Sequence, residues 1–144
     1  MRIYFDMDGT IADLYGVENW LDYLTEKNPY PYMVAKPLCN MTWLSRTIHE
    51  LQEQGHEVAI ISWLSKTSDK EYDKLVTLAK EQWLRKHLKS VVWNEIYIVP
   101  YGTPKKEYNH GNDILFDDEQ QNRDNWGGIA YNVENLVKTL RSLL

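Results

Sequence analysis

Five short apolar runs, with amphipathic helical patterns between them, leave this chain few ways to fold. Arg2-Ile3-Tyr4-Phe5 is β-favouring and runs into an acidic turn that contains Gly9. Val58 to Ile61 follows Gly55 and ends at Ser62, and Ile96 to Val99 stops at Pro100. Ile114 to Phe116 ends on Asp117 and Asp118, and Ile129 to Tyr131 follows Gly127 and Gly128. Leu44, Ile48 and Leu51 share one helical face ahead of Gly55, which is suited to cap that helix. Ser68-Asp69-Lys70-Glu71 has capping-box spacing, and Tyr72, Val76, Ala79 and Trp83 follow as a stripe. Val133, Leu136, Val137 and Leu140 make a last amphipathic helix. Such alternation predicts an α/β fold, a mainly parallel sheet covered on both faces.

At 144 residues the chain has room for one core, so residues 1–144 are expected to form one compact unit. The stretch from Asp13 to Cys39 breaks the alternation and reads as an insertion, residues 13–39. It has a short helical pattern around Glu18 to Lys27, whereas Pro29, Pro31 and Pro37 predict an extended or turn-like second half, suited to a small lid. With 43% hydrophobic and 26% charged residues, disorder is excluded. A net charge of −5 disfavours a long nucleic-acid partner but not a small, metal-bound phosphate ester. Lone Cys39 has no internal disulfide partner and no apolar signal segment opens the sequence, which fits a reducing cytoplasm. The longest apolar runs fall far short of a bilayer span, so no membrane role is expected.

The chemistry gathers at the strand ends, where a parallel sheet binds its ligands. Asp6 and Asp8 follow the first run, Ser62 the second, Lys105 the third by a short loop, and Asp117-Asp118 the fourth. Phosphoryl transfer uses each of these types, since catalysis there is mostly positioning and electrostatic stabilisation. Crowded carboxylates would repel a phosphate unless they hold a hard cation, and Mg²⁺ takes oxygen ligands and shares its shell with phosphate. Asp6 is then the nucleophile that forms an aspartyl phosphate, and a protonated Asp8 the general acid and later the general base. Ser62 can hydrogen-bond a phosphoryl oxygen, with the backbone N–H of Trp63 beside it, and Lys105 can balance charge. Gly9 allows close backbone approach.

Asp6-Met7-Asp8-Gly9-Thr10 resembles the first motif of the haloacid dehalogenase-like (HAD) superfamily, and Ile60-Ile61-Ser62 resembles the second. Lys105 in Gly102-Thr103-Pro104-Lys105-Lys106 is similar to the third, with Lys106 the alternative, and Leu115-Phe116-Asp117-Asp118 is similar to the fourth. The resemblance spans nearly the whole chain. It implies a three-layer Rossmann-like fold, a five-stranded parallel sheet in the order 3-2-1-4-5 and a minimal helical cap insertion. It also implies a phosphatase whose Mg²⁺ is held by Asp6, the backbone carbonyl of Asp8 and an acid of the fourth motif. Asp118 is favoured as the direct ligand, with Asp117 acting through water or by orienting its neighbour. Within the superfamily, the layout looks most like small bacterial and phage proteins related to 5'(3')-deoxyribonucleotidases.

Taken alone, Asp-x-Asp-Gly-Thr is also a solvated turn or a calcium-loop fragment; the ordered set of four strand ends favours chemistry. A phosphoaccepting receiver uses similar groups in a different order. His49, His56, His87 and His110 lack metal-ligand spacing and are assigned nothing. Tyr15, Trp20, Tyr23, Tyr30 and Tyr32 are expected to pack within the insertion, with stacking on a nucleobase as the alternative. Asn122, Arg123 and Asn125 read as a plain loop, with orientation of the acid pair the alternative. The leading function is hydrolysis of a small phosphomonoester, a (deoxy)nucleoside monophosphate. The alternatives are another metabolite phosphatase, a phosphatase acting on nucleic-acid ends, and a non-catalytic phosphate-binding module.

Overall fold

The computed structural model describes residues 1–66 and 69–144. Its elements run β1 (Arg2–Phe5), β2 (Ala12–Asp13), α1 (Trp20–Thr25), α2 (Tyr30–Val34), β3 (Lys36–Pro37), α3 (Met41–Glu53) and β4 (Glu57–Trp63). They continue with α4 (Lys70–His87), β5 (Glu95–Val99), β6 (Ile114–Phe116), α5 (Gln120–Asp124), β7 (Ile129–Tyr131) and α6 (Leu136–Leu143). The main sheet is ordered β5-β4-β1-β6-β7 and every pair in it is parallel. With its five strands counted along the chain, that is the expected 3-2-1-4-5.

Strand β1 is central because it is apolar on both faces. Ile3 and Phe5 face a core built with Leu44, Ile48 and Leu51 of α3, Trp83 and Leu84 of α4, and Leu136 and Leu140 of α6. Each fully buried aliphatic side chain there contributes roughly 1.5–3 kcal/mol. Tyr4 faces the other way, into a smaller layer with Ala59, Ile61, Leu115 and Trp126. The polar ends of its aromatics are satisfied: Tyr4 Oη donates to Tyr108 O at 2.7 Å and Trp126 Nε1 to Asp113 O at 3.0 Å. Helix α3 ends as expected at Gly55, whose φ of +93° lets His56 N–H reach back to Leu51 O at 3.0 Å.

Three local expectations are corrected. Ser62 does not follow its strand; β4 continues through Trp63, pairing Ser62 with Ile98. The second half of the insertion is extended only at Lys36–Pro37; Tyr30–Val34 is helical, with Pro29 as N-cap and Pro31 in the first turn. Proline is tolerated there, since the N–H it lacks would have had no helical partner. Helix α4 is capped by Asp69, whose carboxylate accepts from Tyr72 N–H at 2.9 Å; Ser68 of the expected capping box lies outside the described residues.

The segment between β1 and α3 is tied down at both ends. Strands β2 and β3 pair antiparallel at its base. Leu14 and Tyr32 pack on Tyr72, Val76 and Ala79 of α4, and Trp83 Nε1 donates to Ala35 O at 2.7 Å. No helix among the described residues is long and apolar enough to cross a membrane.

Candidate active site

Where β1 ends, the chain turns tightly enough to bring three acids together. The N–H groups of Thr10, Ile11 and Ala12 all point to Met7 O at 3.0 Å, while Asp6 N–H is fixed by Phe116 O at 2.9 Å. Gly9 sits at φ +80°, and a Cβ there would lie 2.7 Å from Asp118 Cγ, so a side chain at this position would displace that acid.

Lys105 opens a short helical turn after β5 and is buried, whereas Lys106 is exposed. Lys105 Nζ donates to Asp6 Oδ1 at 3.0 Å and to Asp117 Oδ2 at 2.6 Å. Burial works against its charge, but Asp6 and Asp117 outweigh burial and raise its pKa. Asp117 is wholly buried and held from several sides, accepting from Asn122 Nδ2 at 3.1 Å and Glu119 N–H at 2.9 Å. Arg123 donates to its carbonyl at 3.0 Å. Asn122 and Arg123 therefore orient the acid from α5 and are not a plain loop; Asn125 is only the C-cap of that helix. The Thr10 hydroxyl lies 3.3 Å from both Asp6 Oδ2 and Asp118 Oδ1 and accepts from Asp118 N–H at 3.2 Å.

One ammonium group thus faces Asp6 and Asp117, and among the described residues no cation pairs with Asp118. Burial first, and then the nearby charge of Asp6, push Asp117 up to about 6 and Asp118 up to about 8. Oxygen atoms of Asp6, Asp117 and Asp118 lie within 4.8 Å of one another. An all-oxygen donor set with surplus negative charge fits a hard divalent cation such as Mg²⁺.

This excess of carboxylates has a thermodynamic consequence. Because the raised acids keep protons that the unfolded chain has lost above its ordinary carboxylate pKa of about 4, stability of the metal-free protein falls as pH rises from about 4 to 8. A hard divalent cation bound by these acids would displace those protons, so added Mg²⁺ should raise Tm more at pH 8 than at pH 5.5. Thermal melts in chelator and in Mg²⁺ check this; an increment independent of pH, or unchanged in Asp118→Asn, contradicts it.

Asp8 lies beside this cluster with its own lysine. Lys80, from α4, donates to Asp8 Oδ2 at 2.9 Å, Ser62 Oγ at 2.6 Å and Trp63 O at 2.7 Å, and its ammonium lies 5.2 Å from the Tyr32 ring centre. Burial raises the pKa of Asp8, and Lys80 partly offsets it. The sequence reading missed Lys80. The available signal was its place one helical turn after Val76 on the buried side of α4.

Asp6, Asp8 and Lys105 open into a cavity of about 480 Å³. Its outer wall is aromatic and aliphatic: Tyr15, Trp20, Leu21, Leu24 and Tyr32 come from the insertion, and Trp63 and Tyr101 from the sheet side. Trp63 and Tyr101 pack with ring centres 4.9 Å apart, and the Trp63 indole donates to Thr103 O at 2.8 Å. Tyr23 and Tyr30 do not line this cavity and pack on each other at 5.1 Å.

No protein-family model matches the chain, and no curated protein matches it by sequence. Among solved structures, it is similar to a D,D-heptose 1,7-bisphosphate phosphatase from Burkholderia thailandensis. The TM-score is 0.53 and the identity 12%, with 98% of each chain covered. At that identity the likeness establishes the fold alone: an α/β, Rossmann-type fold with a five-stranded parallel sheet.

Proposed function

We propose that this chain is a Mg²⁺-dependent phosphomonoester hydrolase of the HAD type, with Asp6 as nucleophile. One observation carries the reading: Asp6, at the end of the central strand, touches Lys105, neighbours Asp118 and opens into the cavity. The fold shared with a sugar-bisphosphate phosphatase supports it. Asp6, the Asp8 carbonyl and Asp118 would hold Mg²⁺, with Asp117 orienting its neighbour; the ion supplies charge neutralisation and phosphate orientation.

The remaining work falls to the chain itself. A carboxylate oxygen of Asp6 attacks phosphorus while the P–O bond to the leaving group breaks, giving an aspartyl phosphate. The departing oxygen keeps the bonding pair and takes the proton of Asp8. Asp8, now ionised, takes a proton from the water that releases phosphate and restores Asp6. Ser62, the Trp63 N–H and Lys105 bind and neutralise the phosphoryl oxygens.

The aromatic wall supports a substrate with a flat, partly apolar body, and we assign it to a (deoxy)nucleoside monophosphate, with the segment at residues 13–39 acting as a fixed cap in a single-domain enzyme of the cytoplasm. A panel of nucleoside 5'- and 3'-monophosphates, sugar phosphates and p-nitrophenyl phosphate, assayed with Mg²⁺, tests this. The expected kcat/KM for the best nucleotide exceeds that for sugar phosphates by about tenfold or more. Preference for a sugar phosphate would instead place the substrate nearer that of the structural neighbour. Beryllium fluoride binding without turnover of any ester would leave only a phosphate-binding module.

A further inference from the structure

Among the described residues, Lys80 is the one buried cation near the site that the proposed reaction does not use, and its geometry specifies what it does. It is 1% exposed, and its Nζ meets three acceptors: Asp8 Oδ2, Ser62 Oγ and Trp63 O. An ammonium group has three donors and no acceptor, so these contacts saturate it and leave no donor for a substrate. Contact with phosphate is therefore not its role. What it fixes is the direction of the two groups it holds.

We propose that Lys80 is a positioning residue that, by holding Asp8 Oδ2 and Ser62 Oγ, turns the other carboxyl oxygen of Asp8 and the Ser62 hydroxyl hydrogen toward the cavity. Because Lys80 can only donate, Asp8 Oδ2 must accept, and a proton carried by Asp8 resides on Oδ1. Asp8 lines the cavity with its side chain 16% exposed, and Oδ1 is the oxygen that Lys80 leaves for a substrate. Ser62 Oγ likewise accepts from Lys80, which leaves its own hydrogen free to point at a phosphoryl oxygen. The Trp63 carbonyl and the Tyr32 ring hold the ammonium in place between them. A flexible surface lysine would lack this effect; burial on a long helix supplies the rigidity.

The inference rests on the phosphomonoesterase reading, in which Asp8 transfers its proton to the ester oxygen as the P–O bond breaks and that oxygen keeps the electron pair. A leaving group of low basicity needs little of that proton, whereas an alkoxide needs all of it. Lys80→Met should therefore lower kcat for an alkyl phosphate by about a hundredfold, while p-nitrophenyl phosphate loses about tenfold or less through Ser62. Combined with Asp8→Asn, which leaves no unpaired buried charge, Lys80→Met should leave the leaving-group ratio of Asp8→Asn unchanged. Equal losses on both esters in folded Lys80→Met, or a further change of ratio in the double variant, would overturn the positioning role. No turnover by the unaltered protein would instead overturn the hydrolase reading itself, and this inference with it.

Discussion

Asp6→Asn should lower turnover of any accepted phosphomonoester by roughly three orders of magnitude or more, without unfolding the protein. The amide keeps the shape of the carboxylate but removes its charge and nucleophilicity. Lys105 keeps its short contact to Asp117, so no buried cation is stranded. The metal-free variant should also show Asp118 moving back toward the ordinary carboxylate range, because the charge of Asp6 is one of the causes that raise it. Steady-state kinetics and a carboxylate titration by NMR check both parts. Turnover retained within tenfold would be incompatible with attack by Asp6.

Lys105→Met should combine the largest loss of stability with a large loss of activity. Removing one partner of a buried ion pair costs about 3–5 kcal/mol, since it leaves charge uncompensated, and Lys105 has two buried partners in Asp6 and Asp117. The same change should lower kcat/KM by about a hundredfold or more, because the lysine also balances charge on the transferring group. Mg²⁺ should recover part of the stability but little of the activity. Lys106→Met serves as control, for that side chain is exposed. Denaturant melts and kinetics on the two variants decide the matter; equal effects would remove Lys105 from the site.

The parts of this molecule that sequence made legible are those where one local signal has one physical solution. Short apolar runs bounded by acids, Ser, Pro or Gly became the sheet strands, and the 3-2-1-4-5 order that the motif resemblance implies is the order observed. The polar strand ends meet as expected, with Asp6, Lys105, Asp117 and Asp118 within one cluster. What was not legible depends on tertiary contact. Pro29 and Pro31 argued against a helix at Tyr30–Val34, yet first-turn positions accept proline and burial of Tyr32 against α4 holds the turn. Lys80 carries no motif of its own in the sequence, and only the fold brings Asp8, Ser62 and Trp63 around it. Thr10 belongs to the same class, since its hydroxyl meets Asp118 across 108 residues of chain, whereas the contact of Asn122 with Asp117 is the alternative that its place after the acid pair already offered.

The insertion shows the same division. Aromatic residues at helical spacing predicted packing, and Tyr23 with Tyr30 does pack within the segment. Tyr15 and Trp20 pack on each other with ring centres 5.0 Å apart and Tyr32 packs on α4, and all three also line the cavity. Spacing alone does not encode which rings line it.

The central claim is that phosphate passes through a covalent bond to Asp6, and acid quenching during turnover of a phosphate-labelled substrate with Mg²⁺ tests it most directly. An acid-stable, hydroxylamine-labile label is expected on the peptide carrying Asp6 and absent from Asp6→Asn. Steady turnover with no label on that peptide, or with label on another residue, would contradict it.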